Sequence, residues 1–324
     1  MKQYDYTLVG GAAMVQMLRF QKLPEVGETS MPINRNPAEL YFGGCGFNIY
    51  SGLAKLGVPV MPVLTHAHPM LAERLHQDSL RYGFPEDGIF GPLAERYFQC
   101  LMMGGEQGDN LTIAYWFGKD VDGNGFQRRP VTFQDSFFTN SNAVILVMST
   151  PDTGWQTVEM ARKHEKPLIY SYRNDPAQIS HDMLREILGE TAVLFTNEAE
   201  ARAIEKQFSL DHITDLFRTA KAQVIVTTLG KRGCLIYDKN SGRDYEQTLV
   251  PITSGGNGFV DAVGAGDGFV AGFLYGMSRK KPLPVCAQYG STLASFVIEC
   301  DGSTTNLPDE EALLARNQTR PDAM

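Results

Sequence analysis

An aspartate that follows a run of small residues and opens an apolar helix is placed to take a proton beside a bound anion. The stretch GFVDAVGAGDGFVAGFLYGM, from Gly258 to Met277, contains such an aspartate at Asp267. Gly264, Ala265 and Gly266 leave the backbone accessible, and Phe269, Val270, Phe273 and Leu274 give Asp267 to Met277 helical spacing. Unpaired N–H groups at a helix start, with the helix dipole behind them, accommodate a phosphate or a developing oxyanion. A carboxylate there can accept the proton of an attacking hydroxyl while the amides offset charge on a transferring phosphoryl group. The plainer role for Asp267 is to cap the helix. The joint occurrence of Asp261, the small-residue bridge and the apolar helix favours the chemical role.

Other residues offer less by themselves. Asn197 and Glu200 follow an apolar run at capping-box spacing, and an amide and a carboxylate three positions apart also suit the waters around Mg²⁺. Thr228, Gly230 and Gly233 read as a turn between two strands, 224–228 and 234–237. Gly43 and Gly44 read as a tight turn, followed by Asn48. Cys45 has no base beside it and reads as a packed residue. His66 and His68 lack the carboxylates or cysteines of a metal site and read as a turn. Trp116 and Phe117 read as strand packing or as a cover over substrate, and Lys119-Asp120 lies in no motif.

These residues need elements to position them. Tyr6–Val9, Val58–Leu64, Ala143–Met148, Leu168–Tyr172, Ala192–Thr196 and Val224–Thr228 are short apolar runs of buried-strand type. Helical spacing lies between them: Ile49, Leu53 and Leu56 stop at Gly57, and Trp155, Val158, Met160 and Ala161 precede Pro167. Strands alternating with helices predict a doubly wound, mostly parallel α/β sheet with helices on both faces. Residues 16–42, with Pro24, Gly27, Pro32 and Pro37, break this rhythm, and residues 95–120 alternate like an antiparallel pair. Together they predict a small β lid on a single domain, 1–324. Exposed edges of that lid make it a candidate homodimer surface.

Composition sets outer limits. The chain has 324 residues, 43% of them hydrophobic and 20% charged, with a formal charge of −8. That balance disfavours nucleic acid and anionic membranes as partners. Arg279-Lys280-Lys281 is the densest basic cluster and reads as a helix end. Five scattered cysteines without a C-x-x-C pair suit reduced thiols, and no signal-like or membrane-spanning run is visible. A soluble cytoplasmic protein is expected.

Asp261-Ala-Val-Gly-Ala-Gly-Asp267 resembles the D-T-x-G-A-G-D signature of the ribokinase-like (PfkB) carbohydrate and nucleoside kinases, with Ala262 in place of the usual Thr. The resemblance extends over most of the chain in the expected order. Gly43-Gly44 to Asn48, with Leu53 to Gly57, resembles the N-terminal G-G-x-x-x-N segment. Asn197-Glu-Ala-Glu200 resembles N-x-x-E, and Thr228-Leu-Gly230-Lys-Arg-Gly233 resembles the nucleotide loop. Glu299 to Gly302, followed by Pro308, is similar to the last helix and loop.

The resemblance implies ATP-dependent transfer of a phosphoryl group to a hydroxyl of a small sugar or sugar-like molecule, with a nucleoside as the alternative acceptor. It implies Asp267 as general base and the amides of Ala265, Gly266 and Asp267, beside Gly264, as the anion hole. Asn197 and Glu200 would organise Mg²⁺ through water. Thr228, Gly230, Gly233 and Gly302 would face ATP, and Gly43, Gly44 and Asn48 the acceptor. Asp261 would belong to a monovalent-cation site for K⁺.

One position departs from the pattern. Many relatives have an aspartate shortly after the first strand that binds substrate hydroxyls, and here Val15 or Gln16 stands there. That places substrate choice in doubt more than catalysis. Rival functions fit less well. A dinucleotide oxidoreductase needs G-x-G-x-x-G after the first strand, where the sequence is GGAAM. No P-loop motif occurs either. A binding-only relative would have little use for Asp267 at an anion hole.

Overall fold

The computed structural model describes residues 3–34, 36–66, 68–91, 96–105, 110–118, 131–147, 150–175, 179–247 and 258–318. The strands are β1 (Tyr4–Gly11), β2 (Ala13–Phe20), β3 (Leu40–Gly43), β4 (Val60–Thr65), β5 (Ile89–Phe90), β6 (Arg96–Gly105) and β7 (Asn110–Gly118). They continue with β8 (Ser141–Val147), β9 (Leu168–Ser171), β10 (Thr191–Asn197), β11 (Val224–Thr228), β12 (Cys234–Asp238) and β13 (Arg243–Gln247). The helices are α1 (Cys45–Lys55), α2 (Pro69–Tyr82), α3 (Ser136–Thr139), α4 (Pro151–Lys163) and α5 (His181–Glu190). After them come α6 (Glu198–Phe208), α7 (Leu216–Thr219), α8 (Ala265–Ser278), α9 (Leu283–Val297) and α10 (Glu310–Gln318).

Each of the six apolar runs forms a strand of one sheet, ordered β13-β12-β11-β10-β9-β8-β1-β4-β5. From β11 to β5 neighbouring strands pair parallel, and β12 and β13 add an antiparallel edge. Leu8, Val144, Ile145, Leu146, Leu194 and Ile225 are fully buried, as expected of parallel strands covered on both faces. Because every parallel strand runs the same way, their carboxyl ends share one edge, where open α/β sheets bind ligands.

Helices α8 and α9 pack closely along a stripe of small residues. A Cβ at Gly272 would collide with the backbone of Tyr289, one at Gly276 with Cys286, and one at Gly268 with Leu293 and Val297. Helix α1 approaches α8 in the same way, with Gly52 against Ala271. This close fit explains glycines in a helix interior despite their low helix propensity.

The second sheet, β3-β2-β6-β7, is the lid expected from the interrupted segments. It differs from the expectation in two respects. It starts at Ala13 rather than residue 16, and residues 21–39 contribute no strand among the described residues. Pro24, Pro32 and Pro37 lack the N–H that a ladder needs. Instead, Ile33 N–H donates to Arg19 O (2.7 Å), and Asn34 Nδ2 donates to Met17 O (3.0 Å), which lays the loop along β2. The lid is also mixed: β6 pairs antiparallel with β7 but parallel with β2. The side chains of Trp116 and Phe117, and Lys119-Asp120, lie outside the described residues.

Candidate active site

Helix α8 begins at Ala265, two residues earlier than its apolar spacing suggested, and Gly264 occupies the capping position. Gly264 has φ of 80°, and a Cβ there would overlap Ser303. The turn therefore needs glycine twice over, for its left-handed backbone and for the close approach of the 302–305 loop. Asp267 consequently sits at the third helical position and makes no capping bond. Its side chain is free for other work, which removes the capping role considered above.

Ala265 N–H donates to Ala262 O (3.1 Å), so this amide is already engaged. The amides of Gly266 and Asp267 have no acceptor among the described residues and lie in the first turn, where the helix dipole is positive. Two amides of this helix start, rather than three, are therefore left for a ligand among the described residues.

Asp267 is 3% exposed, and both of its oxygens are held. Asn48 Nδ2 donates to Oδ2 at 2.8 Å, and Arg173 Nη2 donates to Oδ1 at 2.7 Å. A carboxylate can only accept, so the Asn48 amide must turn its nitrogen towards Asp267. That leaves Asn48 Oδ1 buried and without a partner among the described residues, an acceptor suited to a ligand hydroxyl. Asn48 is placed by α1, whose start is a sharp turn: Gly44 has φ of 90°, and a Cβ there would press on Ala13 N and Gly11 O at 2.9 Å.

Val15, one of the two residues near the position where the resemblance implies an aspartate, is buried and packs directly against Gly43. Gln16 is committed to the lid, donating to Pro37 O (2.9 Å) and accepting from Gln99 Nε2 (3.3 Å). Neither replaces the missing carboxylate.

Arg173 was not singled out in the sequence, although it directly follows the predicted strand Leu168–Tyr172. The Tyr172 N–H donates to Phe195 O (3.0 Å), extending the β9–β10 ladder by one residue. Arg173 therefore emerges at the carboxyl edge of the sheet. Its Nη1 donates to Glu200 Oε1 at 3.3 Å, so one guanidinium joins two buried carboxylates. Burial pulls the Arg173 pKa down, but Cys45, Asp267 and Glu200 hold it well above the ordinary value. Burial pushes Glu200 up, opposed by Arg173 and the Asn197 amide. Burial and the Asp267 carboxylate push the Cys45 thiol up to about 12, which fits a packed residue rather than a nucleophile.

Asn197 and Glu200 form a complete capping box on α6: Glu200 N–H donates to Asn197 Oδ1 (2.8 Å), and Asn197 N–H donates to Glu200 Oε2 (2.7 Å). Each carboxylate oxygen retains a second lone pair, so this oxygen-rich corner fits the waters of a magnesium ion. Thr228 stands beside Asn197 in the β10–β11 register, and its hydroxyl donates to Thr196 O (3.3 Å). The turn after it is closed by Leu229 N–H to Gly233 O (2.7 Å), with open space around Gly230.

Asp261 lies against the end of α9, with its N–H donating to Ile298 O (3.2 Å). Its Oδ1 accepts from Val263 N–H (3.1 Å), and its Oδ2 is buried without a partner among the described residues, which fits a bound cation. Gly302, with φ of 82°, packs on Tyr41 and Thr305 beside the Arg19–Asp301 ion pair. Tyr41, which it meets, belongs to the lid strand β3. His68 caps α2, its Nδ1 accepting from Met70 N–H. Among the described residues there is no cluster of three or more His, Cys, Asp or Glu able to hold a metal. No helix among them is long and apolar enough to cross a membrane.

A carboxylate beside unpaired helix-start amides, at the carboxyl edge of a parallel sheet and next to a lid, defines a phosphotransferase site on a ribokinase-like fold. The chain belongs to the pfkB family of carbohydrate kinases, whose family model matches residues 99–310. It is an ATP-dependent kinase of a sugar or nucleoside hydroxyl. It is 27% identical over 333 residues to a nucleoside kinase of Methanocaldococcus jannaschii, covering 97% of each chain. Among solved structures, it superposes on the nucleoside kinase of Methanocaldococcus jannaschii with a TM-score of 0.77, at 22% identity and over 98% and 99% of the two chains. The nucleoside kinase of Burkholderia thailandensis in complex with inosine gives a TM-score of 0.75, at 18% identity and over 98% of each chain.

Proposed function

We propose that the protein moves the γ-phosphoryl group of ATP to a hydroxyl of a nucleoside, with Asp267 as general base. The observation that supports this most directly is the placement of Asp267. It is clamped by Asn48 and Arg173 at the helix turn whose free Gly266 and Asp267 amides suit a phosphoryl group. Full-length likeness to a nucleoside kinase supports the acceptor class, and so does the apolar Val15–Gly43 contact, where an acidic hydroxyl-binder would favour a free sugar. Asn48 Oδ1 would accept a hydrogen bond from an acceptor hydroxyl, with Gly43 and Gly44 lining that side. Thr228, Gly230 and Gly233 would lie along the nucleotide.

Asn197 and Glu200 would hold the waters of a magnesium ion, which offsets phosphate charge when bound. Asp261 Oδ2 would face a monovalent cation such as K⁺. The exposed edges of the lid would pair two subunits into a homodimer, which light scattering over a concentration series tests. The scattered free cysteines and the net charge fit a cytoplasmic enzyme with small-molecule partners.

The deciding experiment is ADP release measured against a panel of nucleosides and free sugars, with Mg²⁺ and with or without K⁺. Stimulation by nucleosides supports the reading. Stimulation by free sugars alone moves the acceptor to the carbohydrate class. Unchanged turnover in Asp267→Asn removes the base.

A further inference from the structure

We propose that Arg173 is a positioning residue for Asp267: by bridging to Glu200 it clamps the base beside the helix turn and supplies the counter-charge that lets two buried carboxylates stand together. The inference rests on the reading of Asp267 as base, and it assigns work to a residue outside every motif named above.

Three observations support it. Asp267 and Glu200 are 3% and 6% exposed, and both ion-pair with Arg173. An unpaired buried carboxylate is strongly unfavourable, and two side by side are worse. The contacts use separate nitrogens, Nη2 at 2.7 Å to Asp267 and Nη1 at 3.3 Å to Glu200, a fork that a lysine ammonium cannot reproduce. The guanidinium also borders the anion site, since a Cβ at Gly266 would lie 3.4 Å from Nη2.

The clamp is two-sided. Asn48 holds Oδ2 from α1 and Arg173 holds Oδ1 from the end of β9, so the carboxylate cannot rotate away from the turn. The other titratable groups facing this corner are Cys45 on α1, Glu200 on α6, and Tyr170 and Tyr172 at β9. None of them carries positive charge, so Arg173 alone among these groups balances the two acids. Loss of the guanidinium frees Asp267 to turn, and a misplaced catalytic group of this kind slows a reaction by roughly 100-fold.

The test compares Arg173→Gln, Arg173→Lys and Asp267→Asn in the full chain, with melting curves to confirm folding. Arg173→Gln is expected to lower kcat about 100-fold while the KM values for ATP and acceptor move by less than about threefold. Arg173→Lys keeps a positive charge but not the two-armed fork, so it should restore kcat only in part. A kcat within about threefold of the parent, or a loss confined to KM for ATP, would overturn the role. If Arg173→Gln does not fold, the same readouts on Arg173→Lys decide. An active Asp267→Asn removes the base and this inference with it, whereas an inactive Asp267→Asn beside an active Arg173→Gln removes only the inference.

Discussion

Asn48 and Asp267, 219 positions apart, meet in a 2.8 Å hydrogen bond because α1 crosses α8 one turn further along, where Gly52 lies against Ala271. A glycine four residues after Asn48 and an alanine four residues after Asp267 let the helices approach closely enough for the two side chains to touch. The site is thus set by helix packing as much as by the residues that form it.

Asn48→Ala should remove one half of the clamp and the orphaned acceptor together. A hydrogen bond to a charged group contributes roughly 1.5–3 kcal/mol, so kcat/KM should fall by about 10- to 100-fold. Asn48→Asp keeps the size but sets a second carboxylate against Asp267, so its loss should be larger. Steady-state kinetics check both. An Asn48→Ala enzyme within about twofold of the parent would show that this contact with Asp267 does not support turnover.

Much of this was readable before the fold was known. The six buried runs announced themselves as short apolar stretches rich in Val, Ile and Leu, which suits parallel strands covered on both faces. Asn197 and Glu200 have capping-box spacing, and the box forms. The partners of Asp267 were not readable, because parallel crossovers bring β9, α1, α6 and α8 together from distant parts of the chain. Arg173 had one positional clue, a charge immediately after a buried strand, but no periodicity or local motif marks a guanidinium that pairs 27 and 94 positions away. The start of α8 was misplaced for a related reason. Its first residues are small, so apolar spacing begins at the second turn, and only the contact between Gly264 and Ser303 fixes the real boundary.

Arg316 and Glu299 should matter for stability. Arg316 on α10 grips the buried Glu299 with two 3.0 Å hydrogen bonds and covers the Phe296 ring. Arg316→Met leaves Glu299 buried and uncompensated, which should destabilise the protein by about 3–5 kcal/mol. Arg316→Met with Glu299→Met should recover much of that loss, because no charge is then stranded. Urea unfolding of the parent, both single variants and the double variant measures the coupling. Additive losses would mean that the pair is not a unit.

Cys45 should be inert although it adjoins Asp267. With its thiol pushed up to about 12, the thiolate fraction at pH 8 is about one part in ten thousand. Alkylation by iodoacetamide, mapped by mass spectrometry, should therefore leave Cys45 largely unlabelled in the folded protein, although it is only half-buried. Rapid labelling of Cys45 in the folded protein would contradict a thiol held protonated by burial and the Asp267 carboxylate.

Asp261 gives the last prediction, because its protonation and a cation compete for the same oxygen. Burial raises its carboxyl above the ordinary range, against the opposing pull of the Val263 N–H, Arg19 and the Ala262 N–H. A raised folded-state pKa means that the folded protein holds this proton more tightly than the unfolded chain. Its contribution to stability is therefore complete below the ordinary value of about 3.9 and is lost as pH rises through the higher folded value. A cation against the unpartnered Oδ2 should restore part of that loss at neutral pH, where the carboxyl is ionised. With tetramethylammonium as the reference cation, added K⁺ should raise the melting temperature by a few degrees near neutral pH and by less in acid. Asp261→Asn should abolish the difference between the two cations. An equal K⁺ response in that variant, or none in the parent, would remove Asp261 from any cation site.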